Sequence, residues 1–157
     1  MKFLTLLSSI LISLSIVAQT TDVFKVIEQD EVPMRVQDEF RTQFEGDSRV
    51  LWKSFDDRYE AVVKEDDQKV YYRYNDLGDY VEKRILLDWD EDATETLKNS
   101  KQKTQQKYWE TKEFYLRTTP KGNKSYILQL ENEDGKLSTL YFDDSGLLES
   151  KSKSGGY

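Results

Sequence analysis

The 157-residue chain has no cysteine and no histidine. Without cysteine there is no disulfide framework, no thiol nucleophile, no thiolate metal site and no lipid-modified cysteine behind a leader. Without histidine the commonest general base, the commonest metal ligand and every Ser-His-Asp arrangement are excluded. Positive charge is also short: 23 Lys and Arg stand against 30 Asp and Glu, a formal net charge of −7. A surface of that sign repels nucleic-acid phosphates and suits solubility or a basic partner. The chain also lacks an apolar run long enough for a comfortable membrane span, which needs about 20 residues. Its longest, 3–17, is short and interrupted by Ser8, Ser9, Ser13 and Ser15.

That run follows Met1-Lys2 and closes on Ala18-Gln19. A basic start, an apolar stretch of about 7–15 residues and a small residue at the cut describe a secretory signal peptide. The expectation is cleavage near Ala18-Gln19 and a periplasmic or secreted protein. Removing 1–18 leaves 139 residues and a net charge of −8, since Lys2 is the one charge lost. That is a single domain, able to bury roughly two-thirds of its unfolded surface and to fold without staples.

Ten Tyr, seven Phe and three Trp argue for half-buried sheets. Residues 19–31 read as a flexible lead-in with a short strand at 23–27. Val32-Pro33 followed by Val36, Phe40 and Phe44 describes an amphipathic helix of about 11 residues, with Pro in its first turn, ending before Gly46. From Arg49 the period falls to two. Trp52, then Tyr59, Ala61 and Val63, then Val70, Tyr72 and Tyr74 line successive strand faces, and a fourth strand spans 79–87. Residues 88–105 read as a second helix, capped by Asp90 or Asp92, with Trp89, Ala93 and Leu97 on one stripe. Strands resume at 108–118, 126–131, 137–142 and near 147–150, and 151–157 is a flexible tail.

Tyr72-Arg-Tyr-Asn-Asp-Leu-Gly78 parallels Leu140-Tyr-Phe-Asp-Asp-Ser-Gly146, and Tyr59-x-Ala61-x-Val63 parallels Tyr126-x-Leu128-x-Leu130. The order helix-then-strands occurs twice, over about 32–87 and 88–150, which indicates an internal duplication. The fold class is therefore α+β: two helix-plus-antiparallel-meander repeats forming a sheet of about eight strands, with helices packed on one face.

Val32-Pro33, Phe40, Trp52, Tyr59-x-Ala61, Tyr74-Asn75-Asp76-Leu77-Gly78 with Tyr80 and Glu82, and Phe142-Asp143-Asp144-Ser145-Gly146 with Leu147-Leu148 resemble the secreted PepSY-like family of Bacteroidetes. That family is also described as β-lactamase-inhibitor-like, and the likeness covers most of 31–150. The resemblance implies a helix-plus-antiparallel-sheet fold and a protein that binds or restrains another exported protein. It carries no catalytic or ligand residues across. The second repeat's helix departs from the pattern in lacking a Pro start.

Asp56-Asp57, Asp66-Asp67, Asp143-Asp144 and the stretch 88–92 lack the spacing of paired glycosidase carboxylates or of a calcium loop, and read as turns. Lys121-Gly122-Asn123-Lys124-Ser125 reads as a hairpin turn rather than a phosphate loop. Ser152-Lys153 lies in the tail, where no nucleophile could be held. Tyr71, Tyr115 and Tyr141 alternate onto the sheet face away from the main core, beside Arg73, Lys112 and Arg117. A solvated face rich in Tyr and Arg offers large contact area with a polar handle. Tyr71, Arg73, Tyr115, Arg117 and Tyr141 are thus the candidate binding residues. The chain is read as a non-catalytic binding module for a protein partner, with no metal or cofactor. A small-ligand or glycan binder using the same aromatics is the alternative.

Overall fold

The two-residue alternation of Val, Tyr, Trp and Leu builds strands that pair as antiparallel neighbours. In the computed structural model, which describes residues 23–149, these are β1 (Lys25–Ile27), β2 (Leu51–Ser54), β3 (Arg58–Glu65), β4 (Gln68–Asn75), β5 (Tyr80–Leu87), β6 (Glu110–Thr118), β7 (Lys124–Glu131) and β8 (Leu137–Phe142). They form one eight-stranded sheet whose spatial order is the chain order. Helix α1 (Met34–Gln43) lies between β1 and β2; the single turn α2 (Trp89–Asp92) and helix α3 (Glu95–Gln102) lie between β5 and β6. The expected α+β architecture holds, with the helices on one face of the sheet. The leader and tail expectations fall outside the described residues.

Register assigns each side chain to a face. Trp52, Ala61, Tyr72 and Lys83 oppose one another across β2 to β5, and Val70, Ile85, Leu116, Tyr126 and Phe142 do so across β4 to β8. This is the helix-covered face. Val36 and Phe40 of α1 are buried on its first half, where Phe40 meets Trp52 and Tyr72 edge-on at 5.2 and 5.5 Å. Leu97 of α3 is fully buried on its second half with Phe114, Leu128, Leu130 and Phe142. Burying a Leu or Phe side chain is worth roughly 1.5–3 kcal/mol, so each helix is held mainly by one or two residues.

The second helical segment begins earlier than expected. Asp88, not Asp90 or Asp92, caps α2, its Oδ1 accepting from the Asp90 and Glu91 amides at 2.8 and 3.2 Å. Asp90 and Asp92 sit inside that turn, where their charge favours the positive helix end. The turn stops at Ala93, and Thr94 starts α3 by accepting from the Leu97 amide at 3.4 Å.

One turn design recurs four times. From Asn75, Thr119, Asn132 and Asp143 the amide bonds the carbonyl four residues on, and a glycine amide three residues on bonds back. In three of them the Asn or Asp Oδ1 also accepts from the amide four residues on, at 2.7–2.9 Å. Gly146 has φ +84°, and a Cβ there would lie 3.1 Å from Leu97 Cγ. The turn therefore packs directly on α3, and only glycine supplies both the dihedral and the clearance. Ser100 fixes the contact by donating to the Gly146 carbonyl at 2.9 Å. The strand expected near 147–150 shrinks to a single bridge, Phe142 to Leu148.

Candidate binding face

Tyr71 and Arg73 on β4, Tyr115 and Arg117 on β6, and Tyr141 on β8 all project to the face opposite the helices. The five share that face, but it is not the solvated surface expected for all of them: two are closed off from solvent. Tyr71 and Tyr115 are each only 5% exposed. They meet edge-on at 5.5 Å and form a second, smaller core with Val62 and Ile127, flanked by Leu86 and Tyr141. No helix covers this face among the described residues. The rings are closed off by long basic side chains: Lys53 and Lys69 approach the Tyr71 ring at 5.7 and 5.2 Å, and the Arg84 guanidinium approaches Tyr115 at 5.9 Å. Alternation fixes the face of a residue but not what lies over it.

Around the tyrosines runs an ion-pair network that the sequence reading did not assemble. Glu60 and Glu82 are buried, with 2% and 4% exposure. Arg73 donates its Nε–H to Glu60 at 2.7 Å and lies 3.6 Å from Glu82, while Lys53 lies 3.5 Å from Glu60. Glu82 is shared further by Arg84 and Arg117, each donating Nε–H to a different carboxylate oxygen. Burial alone would raise the Glu82 carboxyl, but the charges of Arg84, Arg117 and Arg73 outweigh it and hold it below its ordinary 4.5. Burial, and next the neighbouring Arg73 charge, lower Arg84. Tyr115 donates to Glu113 at 2.6 Å, and burial followed by that bond pushes its hydroxyl well up. Lys112, expected beside these residues, instead pairs with Glu131 at 2.8 Å lower on the sheet. The signal for Glu60, Glu82 and Arg84 was present: they share strand parity with Arg73 and Tyr71.

Elsewhere the surface offers shallow clefts. One of about 540 Å³ lies beside the loop after α1, with Phe44, Ser48, Glu65, Tyr72 and Lys83 in its walls. There Ser48 donates to the Lys64 carbonyl, and Glu65 is engaged by Tyr72 and Lys83 at 2.6 and 2.8 Å. A second of about 510 Å³ lies between Tyr108, Trp109 and Glu133. Among the described residues no three acidic side chains converge as a metal site. Asp56-Asp57 and Asp66-Asp67 occupy the β2–β3 and β3–β4 turns, Asp143-Asp144 the turn after β8, and Lys121-Gly122 the β6–β7 turn. Lys101, a buried cation lowered by desolvation, is held by the Trp109 carbonyl and Thr111 hydroxyl and joins α3 to β6.

No protein-family model matches the chain, and no curated protein matches it. Solved structures do share the fold. A DUF2874 family protein from Bacteroides ovatus superposes with a TM-score of 0.61 at 19% identity, over 75% of this chain and 84% of that one. A candidate periplasmic protein from Bacteroides eggerthii gives 0.62 at 11% identity, over 74% and 85%. A BLIP-like protein from Bacteroides fragilis gives 0.59 at 13% identity, over 80% and 92%. The chain thus shares the fold of these Bacteroides proteins, one of which is BLIP-like.

Proposed function

We propose that this chain is an exported binding module of the PepSY-like kind, without catalytic activity, that holds and restrains a protein partner against the helix-free face of its sheet. The observation that carries the reading is the contrast between the faces. One is sealed by α1, α2 and α3. The other, with no element over it among the described residues, is floored by packed tyrosines and topped by arginines. Tyr and Arg are the residue types that dominate binding energy where proteins meet. The fold shared with a BLIP-like protein and the leader-like residues 1–18 support the same reading. The burial of Tyr71 and Tyr115 favours a protein over a sugar, because neither ring presents a free face for stacking. The same burial makes Tyr71 and Tyr115 structural, so alanine at either would test folding before binding.

The informative experiment places a photo-crosslinking amino acid at Leu51 or Thr139 on the helix-free face, and at Glu39 or Lys98 on the helical side. All four positions are on elements of the sheet or helices (Thr139 and Leu51 exposed). Adducts identified by mass spectrometry from the native compartment are expected from the first pair alone. Equal adducts from the second pair would defeat the assignment of this face.

A further inference from the structure

We propose that the segment docking on the helix-free face is acidic, setting a carboxylate on the arginine cluster of Arg73, Arg84 and Arg117. This rests on the binding-module reading above and adds the chemistry of the partner.

Local charge and spare hydrogen-bond donors favour such an occupant. The chain as a whole is acidic, at −7, and suits a basic partner by its total charge alone. The middle of the helix-free face has the opposite balance. Lys53, Lys69, Arg73, Arg84 and Arg117 cluster there with Glu60, Glu82 and Glu113, and Lys64 stands opposite Lys69, while Glu110 and Glu131 lie at the far end of β6 and β7, where Lys112 pairs with both. Beyond about 8 Å charges are screened at physiological salt, so contact is decided by this local excess rather than by the total.

Three guanidiniums crowd one carboxylate. Arg84 is 13% exposed at its side chain and Arg73 19%, and Arg73 disfavours the charge on Arg84. A further carboxylate would relieve that repulsion. Arg117 gives Glu82 its Nε–H, and its side chain is 33% exposed, so the fork of terminal N–H groups remains reachable from outside. That fork matches a carboxylate in two parallel hydrogen bonds. The rim is apolar: Phe24, Val26 and Leu51 at one edge of the face and Leu137 at the other are 44–54% exposed. The surface therefore fits an acidic centre with apolar flanks. A nucleic acid is the wrong polyanion, because it needs a continuous basic track and meets an acidic surround.

The test selects binders to the purified chain from a random-peptide display library, then measures their affinity for three variants. Selected peptides are expected to be rich in Asp and Glu. Their affinity should fall about tenfold or more in Arg117→Gln and less in Arg117→Lys, measured well below each variant's melting temperature, since Glu82 keeps Arg73 and Arg84 as partners when Arg117 is lost. Peptides without acidic residues, or acidic ones indifferent to Arg117→Gln, would overturn the proposal. If binders weaken in Val26→Ser/Leu51→Ser but not in Arg117→Gln, the face stands as a binding surface and the acidic partner falls. If they are indifferent to all variants, both fall. A concentration-dependent dimer dissolved by Arg117→Gln would overturn it in favour of a second copy of this chain.

Discussion

Arg117 on β6 donates its Nε–H to the buried carboxylate of Glu82 on β5, across the ladder that joins the first five strands to the last three. Glu82 is thereby the common counter-ion of Arg73, Arg84 and Arg117, and it couples the two halves of the sheet. Removing one member of a buried ionic group leaves uncompensated charge and typically costs roughly 3–5 kcal/mol. Glu82→Ala should lose stability on that scale in urea denaturation. The same group gives an acid limb. Its folded pKa is held below 4.5, so its contribution is present above that pH and lost as pH falls through the folded value. The urea midpoint should decline below pH 4.5 in the parent and decline less in Glu82→Gln; equal slopes would contradict this.

The alkaline side has the opposite sign. Burial pushes Tyr80 up to about 12, and Tyr72, Tyr74 and Tyr115 further. Raised pKa values mean stability that is full below pH 10.0 and is lost as pH rises through the folded values. Tyrosinate absorbance from these four should appear together with the loss of β-sheet circular dichroism. Full ionisation in a still-folded protein would refute their burial.

Gly122 and Gly146 share one turn design with φ near +80°, yet only Gly146 is packed on a neighbour. Gly122→Ala meets nothing within 4 Å and should cost about 1–2 kcal/mol from the left-handed backbone alone. Gly146→Ala adds a collision with Leu97 and should cost about 1–3 kcal/mol more. Equal losses in thermal or urea unfolding would show that α3 yields freely.

Asp66 and Asp67 adopt φ of 47° and 67° in the two-residue turn between β3 and β4. Both central positions thus need left-handed backbone, for which Asn-Gly is favoured. The double substitution Asp66→Asn with Asp67→Gly should raise stability by about 0.5–1 kcal/mol, after losing only the exposed Lys64–Asp67 pair.

The strands, α1 and the turns were legible because each rests on local pattern. Period two from Arg49, a four-residue repeat from Val36 to Phe44, and Asn or Asp three residues before glycine are all short-range signals. The faces of Tyr71, Tyr115 and Tyr141 followed from parity alone. What was not legible depends on neighbours distant in sequence. Nothing near Tyr71 says that Tyr115, on a strand two places away, would meet its edge, or that Arg84 would lie over the Tyr115 ring. The start of α2 differs because Asp88, Asp90 and Asp92 are all competent caps; the first is the one whose amide the Asp92 carboxylate accepts from in return, at 2.7 Å, with Trp89 packed edge-on against Phe114 at 5.1 Å.

A sheet whose neighbours in space are always neighbours along the chain has a kinetic consequence. Each pairing closes a short loop, apart from the two places where a helix intervenes, so little entropy is spent before contact is rewarded. A polypeptide threading out of a narrow pore can therefore set down β2, β3 and β4 while β6 to β8 are still inside. The growing edge is hydrophobic and unpaired only until the next hairpin arrives, which limits the time available for stray association.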